Sequence, residues 1–226
     1  HLRPALEVGS YRCIDFSFEL LEYAVRRIRT SGAVDGLPVR ALCADFADPG
    51  RKGWLEGDRC LVLLTGYTFG NNDEKRVLAA IARWMRPGDC LLLDGHLHAF
   101  GGEGERLTPA QRSVLRRGYD NPTSNRFAFG PVETVTTAQP HDVDFGYRIG
   151  RFVTVVPRAL NVVTRCSGLE SRLRLTGKPV AREYLDLTST TLYDFESLRD
   201  WLAASPLRLR FATRTPETGV FLLEKP

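Results

Sequence analysis

The 226-residue chain reads as an α/β protein built on a parallel sheet. Three observations predict this. Apolar runs of strand length alternate with amphipathic helical patterns over roughly the first hundred residues. Two of the runs, "RCLVLLT" and "CLLLDG", are almost continuously apolar, as expected of strands covered on both faces. The runs end in polar or glycine residues, at the strand ends where parallel sheets carry their functional loops.

In chain order, "YRCID" is a short strand closing at Asp15. Ser17 caps the helix that follows, with Glu19 and Glu22 in its first turn and Leu20, Leu21, Ala24 and Ile28 as its apolar stripe. "LPVRALCADF" is the second strand and "RCLVLLT" the third. The next helix carries Val77, Leu78, Ile81 and Trp84, and "RPGD" stops it before "CLLLDG". Beyond Ala99 the character changes. "LTPAQRSVLRRGYD" opens with a helix signal, and "NPTSN" breaks it. "DFGYRIGRFVTVV" and "ESRLRLTG" alternate weakly, as antiparallel strands do. "DFESLRDWLAA" is a short helix, and "LRLRFATRTPETGVFLLEK" is a hairpin about Pro-Glu-Thr-Gly. The expected organisation is a core over 1–100, an inserted α+β cap over 101–185 and a closing segment over 186–226.

Composition narrows the function classes. No apolar run approaches the roughly 18 residues that span a bilayer, and no signal-peptide pattern opens the chain, so a cytoplasmic protein is expected. The net charge of +4 comes from scattered arginines, without a like-charge block or a basic stripe interleaved with aromatics. Nucleic acid is therefore not the expected partner. The five cysteines share no CxxC spacing, and Cys13, Cys43, Cys60 and Cys90 lie in or beside strand-like runs, as buried reduced thiols would. His96 and His98 have no third ligand in sight, so no metal is expected. His96 reads as a pocket-lining residue and His141 as a surface one.

Three strand exits carry the candidate site residues. Asp15 is placed to accept both hydroxyls of a ribose, or simply to help cap the Ser17 helix. Asp45 and Phe46 can bind and stack on an adenine, or can be a turn aspartate beside a core aromatic. "TGYTFGNN" offers glycines for close backbone approach and asparagines that both donate and accept. A left-handed turn with Asn72 or Asp73 as helix cap would need one such residue, which leaves Asn71 for a ligand.

Taken together, "CIDFSFELLEYA", "CADF", "LLTGYTFGNNDEKRVLAAIARWMRPGDCLLLDGHL" and "RRGYDNP" resemble the histidine-specific methyltransferase family. The similarity runs from about Tyr11 to Asn121 and is most specific in the Thr-x-Gly-Asn loop, with a looser match over "TSTTLYDFESLRDWL". The resemblance implies a Rossmann-like class I methyltransferase sheet, S-adenosylmethionine (SAM) as cofactor with S-adenosylhomocysteine (SAH) as its product, and a separate amino-acid-binding domain. By motif, Asp15 would hold the SAM ribose, Asp45 and Phe46 the adenine, and Thr65 and Gly66 would line the cofactor at the third strand exit. Asn71 would bind the substrate's backbone groups, Tyr119 its carboxylate, and Ser189 would match the serine of a Glu-x-Ser that grips an imidazole.

Two departures qualify what the resemblance implies. The glutamate position falls on Leu187, or on Asp186 with a slip of one. A leucine leaves an imidazole N–H unpaired at roughly 1–3 kcal/mol when buried, so another amine-bearing amino acid or derivative fits at least as well as histidine. The acidic strand-exit residue normally lies about 20 residues after a Gly-rich loop. Only 14 residues precede Asp15, and "EVGS" is too close to serve, so the expectation is an N-terminal part outside this sequence or a loop that has been lost. The expected activity is SAM-dependent N-methylation of a small amine; the alternatives are a non-catalytic methyltransferase-like scaffold and a nucleic-acid methyltransferase.

Overall fold

A computed structural model describes residues 8–31, 36–46, 59–100, 107–133, 144–149, 154–160 and 184–226. The expected alternation is present at the start. Strand β1 (Tyr11–Asp15) leads into α1 (Phe18–Thr30), capped by the Ser17 hydroxyl, and β2 (Val39–Cys43) returns parallel to β1. Strand β3 (Leu61–Leu64), helix α2 (Glu74–Trp84) and strand β4 (Cys90–His96) form a second β-α-β unit, with β3 parallel to β4. The N-cap of α2 is Asp73, whose carboxylate accepts the Arg76 N–H.

Helix α3 (Pro109–Tyr119) opens on a reciprocal capping box between Thr108 and Gln111. The expected break falls at Asp120 and Asn121, and the rest of "NPTSN" is already the first turn of a helix the periodicity did not reveal, α4 (Pro122–Glu133). Asn121 starts it by accepting the Ser124 N–H, and Pro122 sits where a helix needs no N–H donor. Strands β5 (Asp144–Ile149), β6 (Thr154–Leu160) and β7 (Tyr184–Asp186) are antiparallel, and β8 (Thr190–Thr191) pairs with the start of β6. "ESRLRLTG" and His141 lie outside the described residues. Helix α5 (Phe195–Ala203) and the hairpin of β9 (Arg208–Arg214) and β10 (Thr218–Glu224) close the chain.

The main sheet has the order β3-β4-β10-β9, so the last strand inserts antiparallel beside β4. Leu91 faces Leu223 and Leu93 faces Phe221 across that ladder, and all four are fully buried. Helix α2 covers them with Val77, Leu78 and Ile81, and α5 adds Leu198 and Leu202. Asp89 of the "RPGD" turn is 1% exposed and ties the strands' starts together. One of its oxygens accepts the Cys60 N–H and the other the Arg86 N–H, both at 2.8 Å.

Three expectations need correcting. Strand β3 is not covered on both faces: Leu61 and Leu63 are each 48% exposed, and β4 is its sole strand partner among the described residues. The α1 stripe is shallow, with Leu21 buried but Leu20 exposed, because α1 packs on a sheet of two strands. Finally, none of the four described cysteines is fully buried, and Cys43 is exposed, because β2 too presents a face to solvent. No helix among the described residues is long and apolar enough to cross a membrane.

Candidate functional site

The carboxyl ends of β3 and β4 meet the segment just before α5, and the loop "TGYTFGNN" lies between them. Asp94, near the end of β4, organises that loop: its two carboxylate oxygens accept the N–H groups of Gly66 and Tyr67 at 2.9 and 2.8 Å. Both residues are left-handed, Gly66 at φ 75° and Tyr67 at φ 59°. For a tyrosine this costs about 1–3 kcal/mol, which its contacts offset. The ring stacks on His96 at 4.7 Å between centroids, and the phenol bonds the Thr218 hydroxyl at 2.8 Å. Asp94→Ala removes two charge-assisted bonds and is expected to lower unfolding stability by about 2 kcal/mol, read from urea melts.

Gly66 and Gly70 have different reasons: the left-handed turn that the sequence offered as an alternative is present at Gly66, and the reason for Gly70 was not foreseen. A side chain on Gly66 would meet no protein atom within 4 Å, and the residue's positive φ is by itself a reason for glycine there. At Gly70 a Cβ would come within 2.6 Å of the Thr191 carbonyl oxygen. The chain's own C-terminal segment is what approaches there.

That segment is fastened at two further points. Thr190 Oγ1 donates to Asn71 Oδ1 at 3.2 Å, and the buried Tyr193 phenol donates to Glu74 at 2.7 Å. Burial, joined by the Glu74 carboxylate, pushes the Tyr193 phenol far above its ordinary range and keeps it protonated. Asn72 turns back to the Thr68 carbonyl and Asp73 caps α2, so Asn71 takes no part in capping and is exposed.

The other candidate residues are distributed as follows. Asp15 stands at the exit of β1, where one oxygen accepts the Ser17 N–H at 2.8 Å. The local, capping reading of Asp15 thus accounts for that oxygen. Asp45 lies 3.9 Å from the Arg76 guanidinium, and Phe46, partly buried, packs against the main core. Thr65 is exposed, and its carbonyl accepts the Thr68 hydroxyl at 2.9 Å. Tyr119 ends α3 and packs against Leu107, Leu115 and Leu192; burial raises its phenol above the usual range, so it stays a donor. Ser189 sits in the link between β7 and β8, and its neighbour Thr190 is the residue that reaches Asn71. Sequence reasoning passed over Thr190, Tyr193, Glu74 and Asp94. The signals available were the unused threonines of "TSTT" and an acid at the end of an apolar strand.

His96 and His98 are both held below the ordinary imidazole range, chiefly by burial, with Glu217 and Asp194 opposing it. A lowered folded-state value means the unfolded chain binds more protons. The associated stability is fully present above about pH 6.5 and is lost as pH falls through the folded-state values. Urea melts at about pH 7.5 and about pH 5 are expected to show this loss, reduced in a His96→Gln, His98→Gln double variant. Among the described residues no group of three or more His, Cys, Asp or Glu gathers that could hold a metal.

No family model matches the chain, and no curated protein does. It is similar to several solved structures. A SAM-dependent methyltransferase from Methanosarcina mazei is 10% identical, over 96% of this chain and 82% of that one, at a TM-score of 0.49. One from Clostridium acetobutylicum is 11% identical, over 96% and 75%, at 0.42. The 1,6-didemethyltoxoflavin-N1-methyltransferase of Burkholderia thailandensis, solved with SAH, is 9% identical, over 96% and 71%, at 0.41. At these values the similarity identifies neither a family nor an activity.

Proposed function

We propose that the chain is a SAM-dependent N-methyltransferase acting on an amino acid or an amino-acid-like small molecule. The observation that carries the reading is Asn71: exposed at a strand exit, free of capping duty and braced by Thr190. The resemblance over Tyr11–Asn121 supports it, as does a parallel β-α-β arrangement closed by an antiparallel hairpin.

The donor chemistry fits a nucleoside cofactor. Ribose hydroxyls and an adenine amino group are donors, and the strand-exit side chains Asp15 and Asp45 are carboxylate acceptors. When bound, SAM supplies an electrophilic methyl group on a sulfonium. The chain's own task is then to bind, align and dehydrate the acceptor amine, which can provide much of a rate gain by proximity alone. An attacking amine must be neutral. Asn71 and Tyr119 are uncharged, so they hold a substrate without favouring its ammonium form. With Asn71 Oδ1 accepting from Thr190, its Nδ2 hydrogens are left to donate to a substrate oxygen.

A non-catalytic domain is the second reading, favoured by the local roles of Asp15 and Phe46 in a turn and in the core. Incubation with methyl-labelled SAM and pools of amino acids and aromatic amines separates the two by mass spectrometry. The enzyme reading expects a product one labelled methyl group heavier, with stoichiometric SAH. No labelled product and no SAH from any pool would favour the scaffold.

A further inference from the structure

The segment Thr190–Tyr193 passes from one sheet to the other. Strand β8 pairs antiparallel with the start of β6, Thr191 against Thr154 and Thr190 against Val155, and so belongs to the smaller antiparallel sheet. Just beyond it, Tyr193 bridges to Leu97, the residue after β4. The crossing falls between adjacent residues. Leu192 packs with Leu107 and Leu115 of the α3 region, whereas Tyr193 lies in the main core.

The two ends of this segment are held with unequal strength. Tyr193 is buried and triply tied: its N–H donates to the His96 carbonyl at 2.8 Å, its carbonyl accepts the His98 N–H at 3.0 Å, and its phenol donates to Glu74 at 2.7 Å. At the other end the Thr190 hydroxyl donates to the exposed Asn71 amide at 3.2 Å. Water can replace such an exposed bond at little cost, whereas breaking the buried set leaves polar groups unpaired. Gly70 lies between the two ends and keeps the path clear. It lets the Thr191 carbonyl lie against the turn, where a Cβ would come within 2.6 Å of it.

We propose that β8 is a releasable strap, hinged at Leu192–Tyr193 and latched by the Thr190 hydroxyl, through which the antiparallel sheet sets the Asn71 amide. Latched, Thr190 fixes which way the amide faces and holds β6 beside the loop. Released, β8 swings away with β6 while Tyr193 keeps its place in the core, and the amide loses its orientation. Thr190 is thus a positioning residue, acting through Asn71. The inference rests on the reading of Asn71 above and adds its regulation: the amide is set for a ligand only while the strap is closed.

The test is amide hydrogen exchange with side-chain amide NMR, on the full chain without cofactor or substrate. Thr190→Val keeps the shape and removes the donor. It should speed exchange at Thr154, Val155 and Thr191 by about threefold to tenfold, the worth of one hydrogen bond, and leave α2, α5 and β4 within about twofold. Thr190→Ser keeps the hydroxyl and should restore the protection. Asn71→Ala should match Thr190→Val, and the double variant should add nothing further. The Asn71 side-chain amide signals should move toward those of a free asparagine in Thr190→Val and not in Thr190→Ser. Exchange unchanged in both single variants overturns the proposal. So does a rise that spreads through α5 and β4, because the opening would then be global and not hinged at Tyr193. SAH calorimetry on the same samples keeps the cofactor question separate. Coupled exchange without SAH binding contradicts the methyltransferase reading alone, and SAH binding without coupled exchange contradicts the strap alone.

Discussion

Asn71→Ala is expected to lower methyl transfer by about a hundredfold or more while leaving SAH affinity within about twofold. The side chain is exposed and caps nothing, so its removal leaves α2 and its Asp73 cap intact. It loses the amide that the Thr190 hydroxyl orients from the C-terminal segment. A substrate held without that contact sits off the line of attack, and a misplacement on the order of 1 Å costs about that much rate. Labelled-methyl turnover and SAH calorimetry on one preparation measure both halves. Loss of SAH binding with turnover per bound cofactor unchanged would remove Asn71 from the substrate side.

Gly70→Ala is expected to cost about 3 kcal/mol of stability, at the upper end for overpacking, and to lower turnover together with it. The added Cβ would stand 2.6 Å from the Thr191 carbonyl oxygen, a backbone atom that cannot swing aside. Either the short turn Thr68–Asn71 or the strand β8 must move, and each carries one end of the Asn71–Thr190 bond. Phe69, fully buried against Tyr193 and Trp201, resists movement of the turn. The expected result is therefore displacement of β8, read as faster amide exchange at Thr190 and Thr191. Unchanged melting and exchange would show that the contact yields more easily than its geometry implies.

These two positions show what the sequence made legible and what it did not. The parallel units were readable because strand runs and helix caps are local: Ser17 and Asp73 cap α1 and α2 by side chains within three residues. Asn71 was singled out by counting, since one cap sufficed and several candidates were present. The meaning of Gly70 was not readable, because the atom that demands it belongs to a residue 121 positions away, 191 less 70. Thr190 and Tyr193 were hidden for the same reason: their partners, Asn71 and Glu74, are each 119 positions distant. Helix α4 was missed because Asn121 and Pro122 signal a break and a helix start alike. Phe46 could be read from the sequence as a stacking platform or as a core aromatic, and its contact with the main core comes from residues distant in the chain.

The central claim, that this chain uses SAM, is tested most directly by titrating it with SAH in a calorimeter. The account predicts saturable heat with one site per chain, weakened when the Asp15 and Asp45 carboxylates are replaced by alanine. A flat titration, with no rise in melting temperature at saturating SAH, would contradict it.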